Sequence, residues 1–197
     1  MTLFPIFLKL AKRRCLVVGA GKIAEEKIEG LLPTGAEIRV VAPKATPRIR
    51  ALAQNKKILW DARAFKPTDL NDAFLVVAAT SSPDARERIY REAKRRKVLC
   101  NVVDDPAHCD FYYGSVVRRG ALQIAISTAG KSPALAQRIR KMLEQLFGPE
   151  YEEWIAALGE AREKLFAGKM DPEERKRLLH ILASGEMFDE FLRRKTP

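Results

Sequence analysis

Two places in this sequence carry residue types at a spacing that could do chemistry. The first is Gly19-Ala20-Gly21-Lys22-Ile23-Ala24. It follows an apolar run and opens a stretch of helical periodicity, which makes it the G-x-G-x-x-A variant of a dinucleotide loop. Gly19 permits a tight turn out of a strand, Gly21 lets the backbone approach a pyrophosphate, and Ala24 allows close packing of helix on strand. The first helical turn, with Lys22 and Ile23, offers free N–H groups and a partial positive charge to phosphates. The second place is Asp104-Asp105-Pro106. A carboxylate at the carboxyl end of a parallel strand stands at the rim of the ligand crevice, where it can take a proton while a hydride leaves. Asp-Asp-Pro is equally good turn chemistry, so base and turn both remain open for Asp104 from these residues alone.

The elements around these residues alternate. Arg14 to Ala20 is a strand buried on both faces, and Lys22 to Leu32 is a helix whose Ala24, Ile28 and Leu31 share one face. Gly35 turns the chain into a second strand, Glu37 to Ala42; a short helix over Arg48 to Gln54 and a short strand over Ile58 to Trp60 follow. Phe74 to Ala79 is a strand ending at Thr80, Ser82-Pro83 opens a helix to about Arg96, and Val98 to Val103 is a strand. This alternation implies a Rossmann-type parallel α/β sheet. At its second strand end, Ala42-Pro43-Lys44 has no carboxylate for a ribose 2′-hydroxyl. Backbone at Pro43 and Lys44 would hold the adenosine ribose instead, and NAD against NADP stays open on chemistry alone.

The pattern changes after Asp104. Tyr113 to Arg118 and Ala121 to Thr128 form a hairpin across Arg119-Gly120, and a helix runs from Ser132-Pro133 to about Phe147. Residues 150–195 read as helical throughout, with Asp171-Pro172-Glu173-Glu174 as a start signal. Three segments are therefore expected. Residues 1–112 form a nucleotide-binding Rossmann domain, 113–148 a small strand-containing dimerisation and substrate region, and 149–197 a helical C-terminal region. A two-stranded unit is marginal alone, which favours a homodimer that covers its edges.

Composition narrows the classes. Three sparse cysteines, Cys15, Cys100 and Cys109, argue against a disulfide framework and for a reducing compartment, here the cytoplasm. No apolar run approaches the roughly 20 residues of a membrane span, and no signal peptide is read at the N-terminus. The adjacent pair His108-Cys109 is poor chelating geometry, so no metal site is assigned. Net charge is +11, and residues 114–148 are the densest part of it, with six Lys and Arg against one acid. Such a field suits an anionic partner. Residues 149–197 hold nine basic against eleven acidic residues, and no helix-turn-helix stands out, which weighs against nucleic acid. Another NAD(P) oxidoreductase and an NAD-sensing nucleic-acid-binding protein are the competing readings.

Four stretches together are more specific than the glycine loop: Leu3-Phe4-Pro5-Ile6-Phe7, Cys15 to Lys27 (CLVVGAGKIAEEK), Cys100 to Pro106 (CNVVDDP) and Ile126 to Pro133 (ISTAGKSP). In order and spacing the chain resembles the precorrin-2 dehydrogenase / sirohydrochlorin ferrochelatase family, which includes the N-terminal half of siroheme synthases, over roughly residues 1–148. The resemblance implies oxidation of precorrin-2 to sirohydrochlorin in siroheme biosynthesis, with NAD as hydride acceptor. Some members also insert ferrous iron, with Asp105, His108 or Cys109 as candidates to assist the base. It places the family's key aspartate at Asp104 and a dimer interface near the active site. The substrate carries eight carboxylates, and Arg118, Arg119, Lys131, Ser132 and Arg138 are the residues expected to bind it. Thr128 and Ala129 depart from the Ser and Gly of some relatives.

Overall fold

The computed structural model describes residues 3–195; the outermost residues of the first and last expected segments lie outside the described residues. The chain divides into two compact units, meeting between Tyr113 and Gly114, where three segments were expected. The hairpin and the C-terminal helices form one of them, because helix–strand contacts join the two.

The first unit contains β1 (Arg14–Val18), α1 (Lys22–Leu31), β2 (Glu37–Val41), α2 (Pro47–Gln54), β3 (Leu59–Asp61), β4 (Leu75–Ala78), α3 (Pro83–Arg96) and β5 (Leu99–Val102). All five strands are parallel, in the order β3-β2-β1-β4-β5. The order reverses between β1 and β4, which leaves a crevice beyond their carboxyl ends. β1 and β4 are apolar on both faces because both are covered: Cys15 and Val17 pack with Ala24, Ile28 and Leu31 of α1, and Leu16 and Val18 pack with Ile89 and Ala93 of α3. Ser82 caps α3 by accepting from the Ala85 N–H, and Lys97 ends it at φ +58. β3 lies one residue later than expected. Ile58 is buried in the core ahead of it, while Leu59, Trp60 and Asp61 pair with Arg39, Val40 and Val41.

The connection from β3 to β4 is anchored by a charge. Arg63 forks onto Asp69, with Nη2 donating to Oδ1 at 2.6 Å and Nη1 to Oδ2 at 2.8 Å, and the Lys66 N–H donates to Oδ2 at 2.8 Å. The Asp69 side chain is 2% exposed. Burial alone would raise its pKa, but the Arg63 fork, the Lys66 N–H and the Arg63 and Arg39 charges override that and hold it below the ordinary carboxylate range. A depressed folded-state pKa contributes stability that is present above the unfolded value, near 4, and is lost as pH falls through the folded value. Asp69→Ala, which strands Arg63 beside a buried void, is expected to cost about 3 kcal/mol at pH 7 and to flatten this acid limb. Denaturant melts read by circular dichroism at pH 7 and at pH 3 measure both; an unchanged pH slope would contradict the assignment.

The second unit contains β6 (Ser115–Arg119), β7 (Leu122–Ile126), α4 (Pro133–Leu146), α5 (Glu150–Ala167), α6 (Pro172–Leu182) and α7 (Gly185–Lys195). The hairpin turn is Gly120-Ala121, one residue beyond the expected Arg119-Gly120, because Arg119 pairs with Leu122. Gly120, at φ +55, supplies the single positive φ of a II′-type turn. The C-terminal region is not one continuous helix. It breaks at residues 168–171, where Asp171 caps α6 by accepting from Glu173 and Glu174, and again at 183–184. Trp154 of α5 packs against Phe188 and Phe191 of α7.

Candidate active site

The carboxyl ends of four strands meet at one cleft of about 660 Å³, lined by Gly19 to Ile23, Ala42 to Lys44, Ala79 to Ser81, Arg86, Val103 and Asp104. Gly19 leaves β1 at φ +109, its N–H donating to Val41 O at 3.0 Å. A Cβ there would stand 2.2 Å from Ala79 O, so backbone packing from β4 dictates glycine. Gly21 is glycine for another reason. It is the N-cap of α1, carries no capping side chain, and a Cβ on it would meet nothing within 4 Å. The first-turn N–H groups of α1 thus face open space, a cradle that a side chain at 21 would fill and a phosphate fits.

Seven of the eight sequence-predicted cofactor residues line this cleft: Gly19, Gly21, Lys22, Ile23, Pro43, Lys44 and Thr80. Ala24 does not. It is fully buried against the β1 face, where its small size lets α1 approach the sheet. Pro43 and Lys44 are exposed at the end of β2, and no carboxylate stands beside them on that strand end. Thr80 is held in place on both sides, its hydroxyl accepting from the Ser82 N–H and its carbonyl accepting from Arg86 Nε. Arg86 is the residue that sequence reading missed. The signal available was its place in the first turn of α3, a helix that starts at the carboxyl edge of the sheet.

Asp104 is exposed at the cleft mouth in the left-handed region, at φ +61. A non-glycine residue held there is fixed by what surrounds it. The Val103 N–H donates to Ala78 O at 3.0 Å and the Asp105 N–H to Val102 O at 3.2 Å. Asp105 binds His108 Nδ1 at 2.6 Å, and this bond first of all lowers the Asp105 pKa. The Cys109 thiol donates to the carbonyls of Val102 and Asp105, and burial pushes its pKa up. Asn101 donates to Phe111 O at 2.8 Å. These bonds assign Asp105, His108 and Cys109 to the frame of the loop and leave Asp104 as the carboxylate that faces the cleft. Burial pushes the Cys15 and Cys100 thiols up to about 11 and about 12, as inert core residues. Among the described residues, no cluster of three or more His, Cys, Asp or Glu is arranged to hold a metal ion.

The sequence-predicted substrate residues, Arg118, Arg119, Lys131, Ser132 and Arg138, all belong to the second unit. Arg118, Lys131 and Arg138 are exposed. Arg119 is engaged within its own unit, donating to Phe147 O at 2.8 Å and Glu144 O at 3.0 Å, which satisfies carbonyls at the end of α4. Ser132 is the N-cap of α4 and takes the Thr128 hydroxyl as acceptor for its own N–H. Ala129 stands at φ +51, where a glycine would sit at lower cost.

Residues 6–115 match a family described as NAD(P)-binding, and residues 119–146 match the family described as sirohaem biosynthesis protein, central. The chain belongs to the siroheme synthase family, in its NAD(P)-binding part. Similar relatives include siroheme synthase 1 of Serratia proteamaculans, 39% identical over 86% of this chain, and siroheme synthase 3 of Aeromonas hydrophila, 37% identical over 98%. The chain spans about two-fifths of the length of these relatives, 39% and 42% respectively. Among solved structures, the precorrin-2 dehydrogenase SirC superposes with a TM-score of 0.80 at 26% identity, over 93% of this chain and 91% of that one. The sheet with its following hairpin and helices has the fold of SirC. No helix among the described residues is long and apolar enough to cross a membrane.

Proposed function

We propose that this chain oxidises precorrin-2 to sirohydrochlorin, with NAD as the acceptor, in siroheme biosynthesis. The observation that carries this reading is the single cleft that joins an uncapped glycine-loop helix to one outward carboxylate, Asp104, in a chain that superposes on a precorrin-2 dehydrogenase. Bound NAD supplies the hydride acceptor. Asp104 takes the proton that the substrate loses and releases it to solvent, for which its exposure suits it. Gly19 and Gly21 keep the phosphate cradle clear, and Pro43 and Lys44 face the adenosine side through backbone groups. Arg118, Lys131 and Arg138 are proposed to meet substrate carboxylates, Arg119 and Ser132 to support them from their places at the ends of α4. Ferrous iron is the substrate of a second step that the siroheme synthase relatives suggest. The three free thiols accord with a cytoplasmic enzyme. The test is NAD reduction that depends on precorrin-2, followed anaerobically.

The same reading includes a homodimer. On α4, Leu135, Met142 and Leu146 are 48%, 60% and 67% exposed, and their spacing of seven and four places them on one helix face. An apolar stripe of this kind supports burial against a second copy. Light scattering on eluted protein should give twice the chain mass, and Met142→Glu with Leu146→Glu should reduce it to the monomer while the helical circular dichroism persists. A wild-type monomer, or a dimer indifferent to both glutamates, would refute it.

A further inference from the structure

We infer that Arg86 is an oxyanion-holding residue of the catalytic cleft, taking a carboxylate of the substrate beside Asp104. This rests on the proposed function for the identity of the substrate and on geometry for the site. Arg86 sits in the first turn of α3 and lines the same cleft as the glycine loop and Asp104. Its Nε donates to Thr80 O at 2.8 Å, which fixes the plane of a half-buried guanidinium. Every other internal bond of this arginine would have to come from its two terminal nitrogens, and among the described residues they make no hydrogen bond and have no carboxylate within 4 Å.

In this Arg86 differs from the arginines that the fold holds in ion pairs. Arg39 and Arg63 share Asp61 and Asp69, Arg95 and Arg96 share Glu92, and Arg140 meets Glu144. Arg86 has its donor fork oriented by one backbone carbonyl and aimed at no protein group. A planar fork held in this way is suited to two parallel bonds onto a carboxylate or phosphate. The cleft's charged side chains are Lys22, Lys44, Arg86 and Asp104, so cations outnumber the one carboxylate and the field favours an anion. The uncapped turn of α1 already provides for the dinucleotide phosphates. Arg86 starts from a different strand end, the one after β4, next to the strand end that carries Asp104. The oxyanion it holds there is the substrate's, and Arg86 thereby sets which face of a polycarboxylate is presented to the proton acceptor.

Arg86→Gln and Arg86→Lys test this with three readouts: NADH affinity by fluorescence, affinity for uroporphyrin as a stable eight-carboxylate tetrapyrrole probe, and KM for precorrin-2. For Arg86→Gln, probe affinity is expected to fall about ten- to a hundred-fold with NADH affinity within about two-fold of wild type, the loss of a charge-assisted pair. KM should rise by a similar factor while kcat changes less. Arg86→Lys should recover only part of the loss, because a point charge lacks the fork. Unchanged probe affinity in a folded Arg86→Gln protein overturns the inference. A loss of NADH affinity with probe affinity intact also overturns it, and assigns the guanidinium to the cofactor phosphates. Wild-type protein that binds the probe through Arg86 but never reduces NAD would leave the anion site standing and refute the proposed reaction instead.

Discussion

Asp104→Asn is expected to lower the proposed precorrin-2-dependent reduction of NAD by a factor of about 10² to 10⁴ and to leave the protein folded. The rate loss is the ordinary worth of a positioned proton acceptor. The unchanged fold follows from the local structure. Asp104 is exposed, accepts from no side chain among the described residues, and occupies φ +61, a conformation that asparagine tolerates as well as aspartate does. Thermal melting should therefore shift by no more than the equivalent of about 0.5 kcal/mol. Asp105→Asn is the informative control. It weakens the bond to His108 that frames the loop, so it should affect stability and the precision of Asp104 without removing the proton acceptor. Steady-state kinetics and a melting curve on the two proteins distinguish the roles; equal rate losses from both would contradict them.

The two glycines of the nucleotide loop should fail in opposite ways. Gly19→Ala puts a Cβ within 2.2 Å of Ala79 O at a backbone angle of φ +109 that alanine avoids. Strain and overpacking together cost about 2–6 kcal/mol, a large part of a domain's stability, so this variant is expected to be insoluble or partly unfolded. Gly21→Asp has the space it needs at φ −86 and becomes a good N-cap for α1, worth a few tenths of a kcal/mol. It should melt no lower than wild type. Its carboxylate nevertheless occupies the position a pyrophosphate requires and repels it, so NAD affinity should fall at least a hundred-fold, about 2.7 kcal/mol. Fluorescence titration with NADH beside a melting curve measures both. Gly21→Asp that binds NADH normally would mean that the dinucleotide does not lie on the α1 N-terminus.

The parts of this structure that were legible in the sequence are those with one dominant local cause. β1 and β4 announce themselves as apolar runs because helices cover both faces. α1 and α3 announce themselves through Gly21, through Ser82-Pro83 and through single apolar faces. β3 has only three residues, too few for a period to show, and its register is set by pairing with β2. The start of α6 was legible in Asp171-Pro172, whereas the break at residues 183–184 was not, because helical composition runs across it. In the site, the glycines and Asp104 were legible because each needs a particular residue type at a strand end. Arg86 was not, since an arginine in a charged helix resembles the many that form surface pairs. Only its tertiary placement, on Thr80 O and in the lining of the cleft, sets it apart. The engagement of Arg119 was also hidden from the sequence. Its charge suggested a ligand, while the fold gave its donors to the carbonyls that close α4.

The most direct test of the central claim is an anaerobic assay of wild-type protein with enzymatically generated precorrin-2 and either NAD or NADP, read at once for reduced nucleotide and for the sirohydrochlorin spectrum. The predicted result is one NADH for each sirohydrochlorin, absent without precorrin-2 and absent with Asp104→Asn. Protein that binds NADH, with an intact fold and fresh precorrin-2, but forms neither product would contradict it.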